Sequence, residues 1–119
     1  MGTLREPFPP LVTAESISAA YRYLCLSAFR GIKMPRSGTI QFIAKRLKKN
    51  HGLFEWPDLK MTIDTSTDNG SALLQHVAHE MCHLALERSG RCDHDRHDKN
   101  FVALAEIVAF EMGWPKGSV

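Results

Sequence analysis

The chain has 119 residues, of which 44% are hydrophobic and 24% are charged, so it has the length and composition of one soluble globular domain that buries a core without disulfides. This excludes a long disordered chain, a collagen-like fibre and a dense disulfide scaffold, and no apolar run approaches the ~20 residues that a membrane-spanning helix needs. With 15 Lys and Arg against 13 Asp and Glu, the formal net charge is only +2, lower than a strongly basic nucleic-acid-binding protein would carry.

A short basic segment precedes His51 and contains Lys45, Arg46, Lys48 and Lys49. A solvated face of a strand or helix is the simpler interpretation of such a cluster, and a weak association with DNA is the alternative that it leaves open. No interaction with a membrane is expected.

The cysteines indicate a reducing compartment. Cys25, Cys82 and Cys92 are an odd number, and no CxxC pair is present, which argues against a disulfide framework. Residues 1–10 contain three prolines and no apolar segment of the secretory type. We therefore expect a cytoplasmic protein, with residues 1–119 forming a single domain.

The first half of the chain predicts a helix and an ambiguous segment. Residues 1–12 are expected to form an extended, proline-containing lead, followed by a core over residues 13–114. Thr13 is a suitable N-cap, and apolar residues then recur at helical spacing until Gly31, which we expect to end the helix. Residues 39–50 fit a strand or a helix, and we favour a strand over their second half.

Two strand patterns follow. Residues 52–56 are predicted to form a short strand that Pro57 stops, and residues 59–64 alternate between apolar and polar side chains, which predicts a strand with one buried face. A turn is expected at residues 68–70, after which Ser71 can cap the next helix.

The second half of the chain is mainly helical. One helix is predicted over residues 71–88 and another over residues 101–112, with a polar loop at residues 91–100 between them. The order of helix, two or three strands, helix and helix predicts an α+β domain, with its helices packed against a small sheet.

The helix at residues 71–88 contains the sequence His-Glu-Met-Cys-His, an H-E-x-x-H motif formed by His79, Glu80 and His83. Residues four apart lie on one helix face, so both histidines can bind one metal ion. Glu80 can reach a metal-bound water, whose pKa zinc lowers towards ~7, and can accept its proton as hydroxide attacks a carbonyl.

The surroundings of the motif make a chance occurrence improbable. The numbers of His and Glu residues in the chain predict only about 0.02 chance matches to the H-E-x-x-H motif. His76, His79, Glu80, His83 and Glu87 fall in one stripe of an otherwise apolar helix, and buried ionisable groups are costly without a function or partners. A hydrogen-bonded core network or a solvated stripe is the alternative, and we favour the metal site. Cys82 faces away from the stripe and is expected to serve packing.

The motif leaves the third metal ligand open. Catalytic zinc sites usually have three protein ligands and one open position. Leu86 and Ser89 stand where the metzincin pattern requires Gly and His, which excludes that class. The remaining candidates are His94, His97, Glu106 and Glu87.

The combination of the H-E-x-x-H helix, a polar loop of about a dozen residues and a histidine four positions before a Phe resembles the SprT-like domain, the zinc metallopeptidase domain of the Spartan proteases. The family motif His-Gly-x-x-Phe corresponds here to His97-Asp98-Lys99-Asn100-Phe101. The resemblance covers residues 13–114. The H-E-x-x-H motif and the pair His97 and Phe101 are its specific parts.

This resemblance implies a small zincin-like domain in which His79, His83 and His97 bind one zinc ion and Glu80 is the catalytic base. It implies hydrolysis of peptide bonds, in some relatives within DNA-bound proteins. Asp98 replaces the glycine of the family motif and can cap the last helix. This replacement, and the lack of the cysteine pairs of a C-terminal zinc ribbon, argue against carrying over the DNA association.

Three functions are compatible with this sequence. The first is a zinc endopeptidase whose protein or peptide substrate pairs with an exposed edge of the 59–64 strand. The second is a non-catalytic, zinc-stabilised module that binds protein or nucleic acid, and the third is a hydrolase of non-peptide substrates. Arg96, His94 and the backbone N–H groups of the 59–64 strand are candidates to stabilise an oxyanion. His76 is expected either to hydrogen-bond Glu80 or a metal ligand, or to be a polar residue of the core.

Overall fold

A computed structural model describes residues 10–90 and 97–119 of the chain. The architecture is α+β, as predicted, with three α-helices and a three-stranded mixed sheet. In chain order the elements are α1 (Ala14–Leu26), a 3-10 turn (Ser37–Thr39), β1 (Gln41–Lys45), β2 (Gly52–Glu55), β3 (Lys60–Asp64), α2 (Gly70–Ser89) and α3 (Lys99–Met112).

Helix α1 begins as predicted and ends earlier than predicted. Thr13 forms a capping box with Ser16, in which each side chain accepts a hydrogen bond from the other residue's backbone N–H. The helix ends at Leu26 rather than at Gly31. The chain turns at Ser27, and the N–H of Phe29 donates to the Leu24 carbonyl at 2.9 Å. This turn carries Phe29, which has no exposed surface, into the core.

Strand β1 occupies the first part of residues 39–50, so the prediction of a strand in their second half is wrong. β1 pairs in parallel with β3 from Gln41 opposite Lys60 to Lys45 opposite Asp64. β3 ends at Asp64, so the chain after Lys45 has no further strand residue to pair with. Instead, the N–H of Leu47 donates to Asp64 Oδ1 at 2.8 Å.

Strand β3 is the centre of the sheet. The strand order is β1-β3-β2, with β2 antiparallel to β3. The prediction of one buried face is wrong for this strand, because Met61, Thr62, Ile63 and Asp64 are all buried. The predicted exposed edge at residues 59–64 is also wrong, because β3 is hydrogen-bonded to a strand on each side. The edge strands are β1 and β2.

Helix α2 is the buried helix of the domain. Its N-cap is Asn69 rather than Ser71, because the Asn69 side chain accepts a hydrogen bond from the N–H of Ala72 at 2.8 Å. Gly90 ends it in the left-handed conformation with φ 71°, which glycine adopts without strain. Ten of its residues are buried, among them Glu80 and His83 of the motif, whereas His79 is half-buried.

Helix α3 packs against α2. Phe101, Ala105, Val108 and Ala109 form its buried face. Within residues 10–90 and 97–119, no helix has the length and apolar composition that a membrane span needs.

Candidate metal site

The fold brings the three predicted histidines together. His79 and His83 lie one turn apart on α2, and His97 immediately precedes the N-cap of α3. One ring nitrogen from each residue lies within 4.8 Å of the others. The ring centroids are 4.7 to 5.2 Å apart. Among the described residues, this is the group that could hold a metal ion.

The electrostatic environment keeps His79 neutral. Burial, followed by the neighbouring imidazoles of His83, His97 and His76, lowers the pKa of His79 to about 4. A neutral imidazole offers the nitrogen lone pair that a metal requires. Three nitrogen donors at this spacing therefore fit a transition-metal ion such as zinc.

Phe101, four residues after His97, packs against the rings of all three histidines. Its side chain is buried, and its ring centroid lies 4.8 Å from that of His79, 4.5 Å from that of His83 and 4.4 Å from that of His97. The ring is nearly parallel to that of His97, at 19°. Phe101 is thus the apolar support on which all three imidazoles rest.

Asp98 fixes where α3 begins, and hence where His97 lies. Its Oδ1 accepts hydrogen bonds from the N–H groups of Asn100 and Phe101, both at 3.0 Å. The predicted capping role of Asp98 is confirmed. Asp98 therefore stabilises the N-terminus of the helix that carries Phe101.

The side chain of Glu80 extends from α2 towards Gly52 in the edge strand β2. Its side chain is buried, and a Cβ atom at Gly52 would lie 2.9 Å from Glu80 Oε2 and 3.1 Å from Glu80 Cγ. Any side chain at position 52 would therefore displace the carboxylate or the strand. The sequence contained no signal for this contact, because the two residues come from separate elements.

A cleft of about 510 Å³ opens beside these residues. One wall is the start of β2 with the residues before it, and the other is α2. Its lining residues are Lys49, Asn50, His51, Gly52, Leu53, Gln75, His76, His79, Glu80, His83, His97, Ser118 and Val119. Glu80 and the three histidines thus line one and the same cleft.

The contacts that the structure describes for His76 are with Thr67 and His51, and its hydrogen bond to Glu80 or to a metal ligand stays a prediction. Its Nδ1 lies 3.1 Å from Thr67 Oγ1, and its ring stacks on His51 with centroids 4.4 Å apart and an interplanar angle of 8°. Burial, followed by the nearby His51, lowers the pKa of His76. No sequence pattern indicated His51 as a partner of His76, because the two residues are 25 positions apart along the chain.

The end of the described chain also reaches the site. The main chain of Val119 lies near the His79 ring, and Ser118 and Val119 line the cleft. A second cavity of about 220 Å³ lies on the α3 side of His79 and His97, and Val119 lines it as well. Nothing in the local sequence of residues 116–119 indicates this placement.

The other predicted residues lie outside the histidine group. Glu106 lines the second cavity, and its Oε1 lies 3.7 Å from Lys116 Nζ. Glu87, on the last turn of α2, is not in the group either. Cys82 is fully buried, and this burial raises the pKa of its thiol. His94 and Arg96 lie outside the described residues.

Comparison with known proteins gives one match. The model of the SprT-like family matches residues 17–116, which confirms the resemblance predicted from the sequence. No curated protein and no solved structure matches the chain significantly.

Proposed function

Because this chain belongs to the SprT-like family, we propose that it is a zinc-dependent metallopeptidase that hydrolyses peptide bonds, with Glu80 as the general base. One observation carries the proposal: the buried Glu80 carboxylate and the three clustered histidines line the same cleft. A general base and a metal site that share one cleft are the two components that metal-assisted hydrolysis needs.

The proposed metal ligands are His79, His83 and His97, with one zinc ion per chain. Three histidines leave the fourth position of a tetrahedral ion for water or substrate, as in catalytic rather than structural sites. When bound, zinc supplies Lewis-acid chemistry, lowering the pKa of a water molecule and polarising a carbonyl group. The support for this ligand set is the spacing of the ring nitrogens and the neutrality of His79.

The chain's own residues provide the rest of the proposed mechanism. The Glu80 carboxylate accepts the proton of the attacking water and passes it to the leaving amine. Gly52 leaves the space that this carboxylate occupies. Gly52 and Leu53 line the cleft on an edge strand, so an extended peptide is proposed to pair with β2 instead of with the central strand β3.

A non-catalytic zinc-stabilised module is the alternative. Such a site would commonly complete its coordination with a fourth Cys or His, and it has no use for a carboxylate in the cleft. Burying Glu80 carries a desolvation cost that a purely structural site would not need. The position of Glu80 therefore favours the peptidase.

A weak association with DNA is a separate proposal. Lys45, Arg46, Lys48 and Lys49 are all exposed, although Arg46 Nε also lies 3.9 Å from Asp64 Oδ1. Such binding should weaken steeply as salt increases. Fluorescence anisotropy of a labelled duplex, measured at low and physiological salt, tests it, and absence of binding at low salt would reject it.

The main proposal is tested by metal content and hydrolysis measured on one sample. We expect about one zinc per chain by elemental analysis, and cleavage of an unfolded protein that stops with a chelator and returns with added zinc. A chain that neither contains nor takes up zinc would overturn the proposal. A zinc-loaded chain that cleaves no unfolded protein would favour the binding module.

A further inference from the structure

One end of the cleft is lined by hydrogen-bond donors. Gln75 and His76 lie on α2, one turn before His79, and Lys49, Asn50 and His51 lead into β2. The stacked rings of His51 and His76 join the two walls. We call these five residues the donor wall. The proposed hydrolysis does not use them.

The donor wall is suited to a negatively charged group. Each of its side chains carries at least one N–H donor, and Lys49 also carries a positive charge. Among the described residues that line this cleft, Glu80 has the one carboxylate side chain, and the proposed reaction occupies it. An acidic ligand at the donor wall would therefore meet donors and a cation, with no second acid among them.

Buried contacts hold His76 in position. Thr67, whose Oγ1 lies 3.1 Å from His76 Nδ1, is buried. The Thr67 hydroxyl can donate to Nδ1, and in that tautomer the ring N–H donor of His76 is at Nε2. The ring is also fixed in plane by its stack on His51. A ring held at one nitrogen and on one face loses little freedom on binding a ligand.

Asp64, the acidic residue that acts electrostatically on His76, already accepts hydrogen bonds from other residues. Asp64 lies within electrostatic reach of His76, but its carboxylate accepts hydrogen bonds from the Ser66 hydroxyl and the Leu47 N–H. Asp64 also faces Arg46. It therefore does not compete for the donors that line the cleft.

We propose that the donor wall is a subsite that binds the carboxylate of an Asp or Glu side chain close to the scissile bond. This inference rests on the proposed peptidase function and specifies its substrate class, namely peptides with an acidic residue beside the cleavage site. The distance of one helical turn between His76 and His79 places the subsite next to the metal ligands. Charge-assisted hydrogen bonds there should favour Glu over Gln by about tenfold to hundredfold.

Cleavage of a denatured protein, with the products sequenced by mass spectrometry, locates the preferred residues around each cut. Two quenched fluorescent peptides then differ only by Glu or Gln at the selected position, and kcat/KM is compared. The Lys49→Gln variant should reduce the Glu preference severalfold. Lys48→Gln is the matched control, because Lys48 is exposed but does not line the cleft, and it should keep the preference.

A binding measurement separates this inference from the proposed function. Zinc-loaded Glu80→Gln protein with 15N-labelled histidines is titrated with acetylglutamate amide and acetylglutamine amide. The His51 and His76 resonances should shift with the acid and not with the amide. If no peptide is cleaved but these shifts occur, the peptidase proposal fails and the carboxylate subsite stands.

Two results would overturn the subsite. One is cleavage with equal kcat/KM for the Glu and Gln peptides. The other is a pair of variants, at positions 48 and 49, that lower the Glu preference equally, since the effect would then be a general surface charge. A DNA oligonucleotide that displaces acetylglutamate from His51 and His76 with much higher affinity would assign the donor wall to phosphate instead.

Discussion

Gly52 and Glu80 are in such close contact that a methyl group at position 52 would lie 2.9 Å from Oε2 of the glutamate. Gly52 is the first residue of the edge strand β2 and Glu80 lies at the centre of the buried helix α2. The lack of a side chain at one position therefore sets the location of the proposed base at the other.

Gly52→Ala should lower kcat with little loss of zinc, because the methyl group displaces the carboxylate and not the histidines. A catalytic group misplaced by about 1 Å can lower a rate by about 10²-fold, and we expect a decrease in kcat of about tenfold or more. Gly38→Ala is the control, because a Cβ there meets nothing within 4 Å. Equal kcat values for both variants would show that Gly52 does not position Glu80.

Glu80→Gln should keep zinc and lose hydrolysis. The amide keeps the shape of the carboxylate in the space beside Gly52 but cannot accept a proton from water. Loss of general-base catalysis typically reduces the rate by about 10²–10⁴-fold. Zinc content is measured on the same sample, and a zinc-loaded variant with parental activity would exclude Glu80 as the base.

His97→Ala should weaken zinc binding strongly, because it removes one of three clustered nitrogens. Glu106→Gln should have little effect, since the Glu106 carboxylate faces Lys116. Competition with a zinc-binding dye gives the affinities. His94→Ala is measured in parallel, and a larger effect there than at His97 would assign the third ligand to the loop.

Asp98→Ala should destabilise the chain by about 1 kcal/mol, the usual cost of losing a helix N-cap. Because Asp98 fixes the start of α3 beside His97, zinc affinity should decrease with it. Asp98→Asn should restore both, since the amide oxygen also caps a helix. Urea unfolding of the three proteins, with and without zinc, tests this, and a stable Asp98→Ala protein would argue against the cap.

Asp64 should make the free energy of unfolding depend on pH in the acidic range. Hydrogen bonds from Ser66 and from the Leu47 N–H lower the pKa of Asp64 below its usual range. The folded state therefore favours the ionised carboxylate over the protonated acid. The resulting stabilisation is fully present above pH ~4, which is the pKa of Asp in the unfolded chain. It is lost as the pH falls through the lower pKa of the folded state.

Unfolding by urea at a series of pH values from neutral to strongly acidic tests this effect. The Asp64→Asn variant should lose less stability on acidification than the parent, because its side chain does not titrate. Identical acid dependence in the two proteins would contradict the role of Asp64.

Local sequence patterns predicted the three helices and several of their ends. Thr13, Asp98 and Gly90 act at helix ends through contacts within a few residues of the chain, so spacing alone could indicate them. The H-E-x-x-H motif is similarly local, because one helical turn brings His79 and His83 together.

The sheet and the walls of the cleft could not be predicted in this way. β1 and β3 pair across an intervening strand, and only this pairing makes β3 central and β2 an edge. The contacts between Gly52 and Glu80 and between His51 and His76 join residues more than 20 positions apart. Such contacts depend on how β2 packs on α2, which no periodicity in either segment encodes.

Val119 lies beside His79 at the wall of the cleft, which affects how the protein should be prepared for study. An affinity tag fused after Val119 would begin beside the three histidines, and a polyhistidine tag there would offer competing imidazoles to the same ion. Metal content and activity are best measured on protein purified with its tag attached elsewhere or removed.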